Sequence, residues 1–250
     1  MLLFFIACTP KTTDNSSSTE DSETSTKTFY TKPYYYPVEE LKTGKVYEYS
    51  LVQGGQAFVT HYWHLQTEKG EEGQTFLIWR RYNPLFEQDQ YIKEWIVQDG
   101  VVTKAYDIFI KDSTKQAPTR YTNEVEENIV FPFQATLESN MAYRFSCILT
   151  LPPDFLTVKL VRDRKFSGAI EYVYKGTTQE AVTFTLNDLY DIENREEGGF
   201  WQQEKITKEI YVKGIGLVQQ EVQTKGETAT EVTKLSKIYT WEAFEELKKS

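Results

Sequence analysis

The sequence has few of the residues on which catalytic and metal-binding chemistry usually depends. Its 250 residues include two histidines and two cysteines. It contains no G-x-S-x-G motif, no phosphate-binding glycine loop and no dinucleotide-binding fingerprint. Most nucleophilic mechanisms therefore lack their usual base. It also lacks a run of 18 apolar residues, so no membrane-spanning helix is predicted. We expect a protein that is not an enzyme and that uses no cofactor and no metal.

A basic surface is also missing. The chain carries 37 acidic and 28 basic residues, which give a formal net charge of −9. Such a surface repels the phosphates of nucleic acid, so we expect no nucleic-acid partner. The small basic groups at residues 159–165 and 248–249 alternate with acidic or apolar residues and are interpreted as ordinary surface. In contrast, 17 Tyr, 15 Phe and 5 Trp are ample for the core of a folded domain.

The few residues that could bind a metal are not grouped for it. His61 and His64 lie three apart in a strand-like run, so they are predicted to point to opposite faces of a sheet. The acidic stretch LNDLYDIENREEGG does not match the spacing of a calcium-binding loop and is interpreted as a solvated loop. Cys147 is flanked by apolar residues and Cys8 ends an apolar run, so both are predicted to be unpaired.

The first eight residues form a short apolar run that ends at Cys8. Residues 5–8, FIAC, resemble a bacterial lipobox, in which two bulky or apolar residues and a small one precede the cysteine that is acylated. Phe5 stands where leucine is usual, and the basic start of a signal peptide is missing. We predict that residues 1–8 are the remnant of a lipoprotein signal and that Cys8 carries the lipid. The alternative is a buried N-terminal strand.

Residues 9–28 are mostly Ser, Thr, Asp, Glu, Asn and Lys. Such a segment cannot bury enough apolar surface to offset the entropy lost on ordering, so it is predicted to be a disordered tether. A single acyl chain gives only marginal anchoring, at about 0.8 kcal/mol per buried methylene, whereas several chains on Cys8 would hold firmly. Residues 29–250 are then predicted to form a single β-rich domain behind this tether.

Beyond Gly44 the sequence is typical of consecutive strands. Period-two runs rich in Val, Ile, Tyr, Phe, Thr and Trp are separated by turns that contain glycine. The last stretch, TWEAFEELKKS, predicts a short C-terminal helix with Thr240 as its N-cap. Strands are predicted near residues 45–53, 57–66, 74–82, 90–98, 101–110, 143–151, 155–163, 168–175, 180–186, 203–213, 216–224 and 229–239.

The fold class follows from the way these strands are patterned. No strand–helix–strand units occur, so the protein is predicted to be mainly β, with an antiparallel sheet. Several strands are apolar on both faces; in 74–82, Leu77 and Trp79 oppose Phe76 and Ile78. A sheet with one wet face alternates more cleanly. We therefore predict a curved antiparallel sheet, either a half-barrel or a barrel-like sandwich, with a covered concave face.

Three consecutive tyrosines, Tyr34 to Tyr36, lie between Pro33 and Pro37. Proline on both sides favours an extended segment. Two interpretations stay open. The rings either pack across the domain, as amphipathic tyrosines often do, or form an aromatic strip that binds a sugar or peptide.

Residues 209–227, EIYVKGIGLVQQEVQTKGE, contain the most distinctive motif of the domain. Gly214 and Gly216 allow a tight reversal or bulge, and Leu217 and Val218 face opposite ways. This hairpin resembles one near the C-terminus of many Gram-negative envelope lipoproteins, of the TapB-like group and the LolA/LolB type of half-barrel. Gln219 stands where that family often has lysine. The resemblance implies a curved sheet with a helix near its mouth and an apolar groove on its concave face.

Two functional hypotheses follow for a lipoprotein of the cell envelope, anchored to the outer membrane or a periplasmic face. In the first, it is a non-catalytic protein that binds a hydrophobic lipid or acyl ligand in an apolar groove. In the second, it is a structural or interaction lipoprotein that binds an envelope protein or glycan through a sheet edge or the Tyr34–Tyr36 strip. The candidate groove residues are Trp63, Trp79, Trp95, Tyr35 and Tyr36.

Overall fold

The computed structural model describes residues 27–111, 117–126, 128–137, 141–151, 156–194, 196 and 198–249. The lipobox-like run, Cys8 and nearly all of the predicted tether lie outside these residues, so the predictions for them are not tested. Within the described ranges, no helix is both long enough and apolar enough to span a membrane.

The described chain is mostly β-strand, as predicted, with one short helix near its end. The strands within these ranges are β1 (Thr28–Tyr30), β2 (Lys45–Gln53), β3 (Gln56–Lys69), β4 (Thr75–Tyr82), β5 (Gln88–Ile96), β6 (Gly100–Ile110), β7 (Thr119–Thr122), β8 (Glu124–Val125), β9 (Ile129–Pro132), β10 (Gln134–Thr136), β11 (Tyr143–Leu151), β12 (Leu156–Tyr174), β13 (Thr177–Asn194), β14 (Gly199–Val212), β15 (Gly216–Thr224) and β16 (Thr230–Thr240). The helix is α1 (Trp241–Leu247).

Fourteen of the described strands form one antiparallel sheet that curls into a nearly closed barrel. Its order is β7-β6-β5-β4-β3-β2-β16-β15-β14-β13-β12-β11-β8, and β9 also pairs with β6. The segment 123–126 links the two ends of this sheet, because the Asn123 backbone N–H donates to Tyr106 O at 3.1 Å and that of Glu126 donates to Ser146 O at 3.1 Å. The predicted curved antiparallel sheet is therefore confirmed, in its barrel-like form.

The N-terminal segment of the described chain inserts Tyr35 and Tyr36 into this barrel. Strand β1 pairs with β10, and the Thr31 backbone N–H donates to Phe133 O at 3.0 Å. Tyr35 and Tyr36 lie in the core, with 5% and 3% of their surface exposed. The predicted extended conformation holds at Tyr35, but short 3-10 helices at Lys32–Tyr34 and Val38–Glu40 flank it. These turns let the chain bend inward and bury two tyrosine rings against the concave face.

Helix α1 packs on the outer face of the barrel. Its Phe244 is fully buried in a cluster with Val46, Tyr62 and Tyr82 from β2, β3 and β4. The predicted N-cap is confirmed, since the Ala243 backbone N–H donates to Thr240 Oγ1 at 3.3 Å. The apolar residues on both faces of these strands thus have two partners, the barrel core inside and α1 outside. The resemblance implied a helix near the mouth of the sheet. In the structure, the helix covers part of the outer surface of the barrel.

Two predictions about the C-terminal half are wrong. The runs 155–163 and 168–175 form one strand, β12, because a β-bulge between Phe166 and Gly168 keeps the ladder continuous. Gly168 has φ +128°, a backbone conformation that favours glycine at this bulge. The acidic stretch was predicted to be a loop, but as far as Asn194 it is part of strand β13. Its Asp188 is buried and pairs with Arg162 of the neighbouring strand.

Candidate ligand-binding site

An open cleft of about 460 Å³ lies at one mouth of the barrel. It is formed between the 3-10 segment of residues 32–40, the ends of β4 and β5, and Phe133. Ligand pockets commonly have volumes of about 300–1,000 Å³ and often occupy barrel mouths. This mouth cleft is walled mainly by apolar side chains, Tyr35, Tyr36, Pro37, Val38, Ile96, Val97 and Phe133, together with Lys32, Glu39, Glu40 and Thr75.

Tyr35 forms the floor between the mouth cleft and the barrel interior. Its ring packs against Phe131 and Phe133, with centroid distances of 5.1 and 6.4 Å, and edge-on against Tyr36 at 5.5 Å. Its hydroxyl donates to the carboxylate of Glu94, which lies deeper in the barrel. Burial, together with the nearby Glu94 charge, raises the pKa of Tyr35 well above its ordinary value, so the phenol stays neutral.

A second, smaller pocket lies at the seam where the two ends of the sheet meet, and it is partly open to solvent. This inner cavity has a volume of about 70 Å³, room for about two water molecules. Strands β5, β6, β9, β11 and β12 surround it. Its lining residues are Ile92, Glu94, Thr103, Tyr106, Val130, Tyr143, Phe145, Arg162 and Arg164.

Both arginines of the inner cavity are held by carboxylates. Arg162 donates to both oxygens of Asp188, at 2.8 and 2.7 Å. Arg164 donates to Glu209 Oε2 at 2.9 Å, and Tyr211 donates to the same oxygen at 2.9 Å. Burial disfavours the charge of each guanidinium, but the paired carboxylates outweigh it and raise the pKa of both arginines. The guanidiniums therefore stay charged inside the barrel.

Glu94 lies between the two spaces. Its Oε2 accepts hydrogen bonds from the Tyr35 hydroxyl and from Trp79 Nε1, the latter at 2.7 Å. The side chain keeps some exposed surface because it lines the inner cavity, yet protein surrounds it. This burial raises the pKa of the Glu94 carboxyl above its ordinary value, although the two hydrogen bonds and the nearby charge of Arg164 oppose the shift.

The structure separates the tryptophans that the sequence grouped as candidates. Trp79 lies inside the barrel, edge-on to Tyr36 at 4.8 Å and to Trp63 at 5.4 Å. Trp95 follows the inward-pointing Glu94, so it points outward, where Lys104 lies 5.2 Å from its ring centroid. None of the three belongs to the lining of the mouth cleft or of the inner cavity, whereas Tyr35 and Tyr36 both line the mouth cleft.

The hairpin that contains Gly214 and Gly216 packs against the aromatic residues inside the barrel, including Tyr36. Gly214 and Gly216 have φ values of +74° and +102° at the reversal between β14 and β15. Leu217 and Val218 are both buried, and the Leu217 carbonyl accepts a hydrogen bond from Tyr49 at 2.8 Å. A Cβ on Gly216 would lie 2.5 Å from the ring of Tyr36. The motif thus makes room for a cleft-lining tyrosine.

The two histidines lie on opposite faces of β3, as predicted. His61 stacks on Tyr49 inside the barrel, at 5.2 Å, and His64 stacks on Trp241 outside it, at 4.1 Å. Burial lowers the pKa of His61 to about 3 and that of His64 to about 4. Among the described residues, no three metal-ligating side chains are grouped closely enough to hold an ion.

The residues that line the inner cavity are not among the predicted site residues. Arg162 and Arg164 were interpreted as surface, but they share one face of β12 and that face points inward. Lys159 and Lys165 are exposed on the opposite side, which is what the two-residue period of a strand requires. The two-residue period of the strand was therefore the signal that could have placed Arg162 and Arg164 on the inward face. Asp188, which neutralises Arg162 across the ladder, was concealed by the acidic run around it.

No protein-family model and no curated protein matches the chain. Two solved structures are similar to it. One is a "putative lipoprotein" from Parabacteroides distasonis ATCC 8503, with 14% identity, a TM-score of 0.50, and coverage of 82% of this chain and 97% of that one. The other is a "putative exported protein with YmcC-like fold" from Bacteroides fragilis NCTC 9343, with 9% identity, a TM-score of 0.48, and coverage of 82% and 98%.

At 14% identity, the first likeness shows a shared fold and nothing about a ligand or partner. The finer resemblance to TapB-like and LolA/LolB-type proteins stays a prediction.

Proposed function

We propose that this chain is a non-catalytic lipoprotein of the cell envelope that binds an apolar ligand, such as an acyl chain, in the mouth cleft. The observation that carries the proposal is the cleft itself, about 460 Å³ with mainly aromatic and aliphatic walls. Burial of each ligand methylene contributes about 0.8 kcal/mol. About six buried methylenes would therefore supply roughly 5 kcal/mol of binding free energy before the cost of association.

The position of the cleft relative to the predicted anchor supports an acyl ligand. Lys32 lines the cleft and lies five residues after Lys27, where the described chain begins. The nineteen residues from Cys8 to Lys27 could span at most about 65 Å when fully extended. A lipid on Cys8 would thus keep the cleft close to a membrane, where acyl chains are abundant. The lipobox-like run and the fold shared with a "putative lipoprotein" agree with this location.

The alternative, a partner bound through the Tyr34–Tyr36 strip or a sheet edge, has less support. Tyr35 and Tyr36 are 5% and 3% exposed and form part of the wall of the mouth cleft, so they do not present an open strip to a glycan or protein. The strands at the ends of the described sheet, β7 and β8, have only four and two residues. An added strand would find few free backbone groups there.

Substitution of Val97 by lysine tests the cleft directly. A lysine there places an ammonium among apolar walls, which disfavours an apolar ligand. The matched control is Val173→Lys, the same change at a position 66% exposed on β12. Binding of the neutral fluorescent probe N-phenyl-1-naphthylamine should weaken at least about tenfold in Val97→Lys, or about 1.4 kcal/mol, and stay unchanged in Val173→Lys. Equal binding by both variants would refute the site.

A further inference from the structure

The inner cavity contains a carboxylate, Glu94, that forms no salt bridge with any described residue, although the charge of Arg164 acts on it from across the cavity. Among the described residues, Arg162 is paired with Asp188 and Arg164 with Glu209, but no ion pair involves Glu94. Within the described ranges, the groups that donate hydrogen bonds to Glu94 are both neutral, the Tyr35 hydroxyl and the Trp79 indole N–H. Charges that are largely surrounded by protein are normally paired, so a carboxylate without a salt bridge at a partly open pocket calls for an explanation.

Charge balance indicates which sign of ligand the cavity would accept. Three carboxylates, Glu94, Asp188 and Glu209, meet two guanidiniums, Arg162 and Arg164, so the cluster carries one excess negative charge when all are ionised. A bound anion would add to this excess in a region of low dielectric constant. A bound cation would neutralise it. The arginines do not reverse this preference, because each already has its own counter-ion.

The walls of the cavity also suit a cation. Tyr106, Tyr143 and Phe145 contribute aromatic rings to the lining, and the faces of such rings attract ammonium groups. The volume of about 70 Å³ admits only a small group. A tetraalkyl cation or a sugar would exceed it, whereas a primary ammonium with one or two carbons is of the right order.

We propose that the inner cavity is a binding site for a small organic cation, a primary alkylammonium group, with Glu94 as its counter-ion. This site goes beyond the apolar ligand of the mouth cleft. The floor formed by Tyr35 separates the two spaces, so either site could exist without the other. The competing explanation is that Glu94 is simply protonated and shares its cavity with water.

Thermal unfolding of the full chain in salts of equal ionic strength separates these explanations. A ligand that binds only the folded state raises Tm in a saturable manner. Ethylammonium chloride should raise Tm above its value in sodium chloride, with saturation, and sodium propionate should not. If ethylammonium gives the same Tm as sodium chloride, or if propionate gives the larger shift, the proposal is overturned.

Two variants assign the effect to Glu94. Glu94→Gln removes the charge but leaves an oxygen that can accept from Tyr35 and Trp79, and it should abolish the ethylammonium shift. Glu180→Gln removes an exposed carboxylate that is paired with Lys213 and should leave the shift intact. A shift that persists in Glu94→Gln would contradict the proposal.

A second measurement uses only the wild-type chain, in case Glu94→Gln does not fold. Saturation-transfer NMR should show magnetisation passing from the protein to the ethyl protons of ethylammonium and not to those of propionate. Transfer to neither compound, or to propionate alone, would show that the cavity holds water or an anion and would overturn the proposal.

Discussion

At the scale of single residues, the tightest constraint near the mouth cleft is between Gly216 and Tyr36. The ring of Tyr36 packs edge-on against Tyr47 and Trp79, with centroid distances of 5.4 and 4.8 Å. A Cβ at position 216 would lie 2.5 Å from Cδ1 of that ring. Real carbon atoms do not approach so closely, and the ring has no free space into which to move. A small change in the hairpin would therefore disturb a wall of the cleft.

Replacement of Gly216 by alanine should lower the free energy of unfolding by roughly 3 kcal/mol, because it combines a left-handed φ of +102° with this clash. Gly214 provides the matched control, since it has φ +74° and no atom within 4 Å of its ideal Cβ. Gly214→Ala should cost only about 1 kcal/mol. Chemical denaturation of the two variants measures the difference, and equal losses would contradict the role of the Tyr36 contact.

The pH dependence of stability should report on His64. Burial, assisted by the charges of Arg80 and Lys248, lowers its pKa in the folded state to about 4, below the ordinary value of 6.5. Between these pH values the unfolded chain binds a proton that the folded chain does not. The contribution of neutral His64 to the free energy of unfolding is thus fully present above about pH 6.5 and is lost as the pH falls towards about 4. It amounts to roughly 2–3 kcal/mol.

Urea denaturation at a series of pH values tests this dependence. In His64→Gln, the decline in the free energy of unfolding between pH 6.5 and 4.5 should be shallower than in the wild type. His61 has the same sign of shift, with a pKa lowered to about 3, so a residual decline should persist. Parallel curves for the variant and the wild type would show that His64 does not contribute.

At the scale of elements, α1 completes the outer side of the barrel. It has only seven residues, too few for stability on its own, so its packing must hold it in place. Phe244 is its one fully buried residue and contacts the rings of Tyr62 and Tyr82, at 5.1 and 5.5 Å. The helix therefore behaves as a cover whose buried anchor is Phe244, assisted by the stacking of Trp241 on His64.

Replacement of Phe244 by alanine should lower the free energy of unfolding by about 3–5 kcal/mol, since it removes a fully buried ring and uncovers β2–β4. Phe58→Ala is the control, because Phe58 is 52% exposed on β3 and should cost less than about 1 kcal/mol. Denaturant titration gives both values. A loss for Phe244→Ala no larger than that for Phe58→Ala would contradict the role assigned to α1.

Strand positions could be predicted at this scale because they depend on local signals. The predicted runs 45–53, 143–151 and 216–224 coincide with β2, β11 and β15, each bounded by turn residues or a change in periodicity. The short strands β7 to β10 were missed because two to four residues establish no period. The bulge at Gly168 was also missed, because a glycine in a strand-like run equally signals a turn.

At the scale of the whole molecule, the candidate site depends on contacts between distant parts of the chain. The inward residues of β5 run from Ile92 and Glu94, at the inner cavity, to Ile96, at the mouth cleft. Tyr35, more than fifty residues earlier, divides the two spaces. No local sequence pattern could predict this arrangement of the two spaces. The burial of Tyr35 and the inward orientation of Arg162 depend on how the barrel closes. The aromatic content predicted a rich core but not where a cleft would remain.

The mouth cleft is the feature through which we propose that the protein binds its apolar ligand. Native mass spectrometry tests this proposal most directly, on the full chain with Cys8→Ser, purified without detergent. We expect a mass above that of the polypeptide, which is lost on extraction with organic solvent and reduced in a chain that also carries Val97→Lys. A spectrum that shows only the bare polypeptide mass, with no uptake of an added acyl compound, would contradict it.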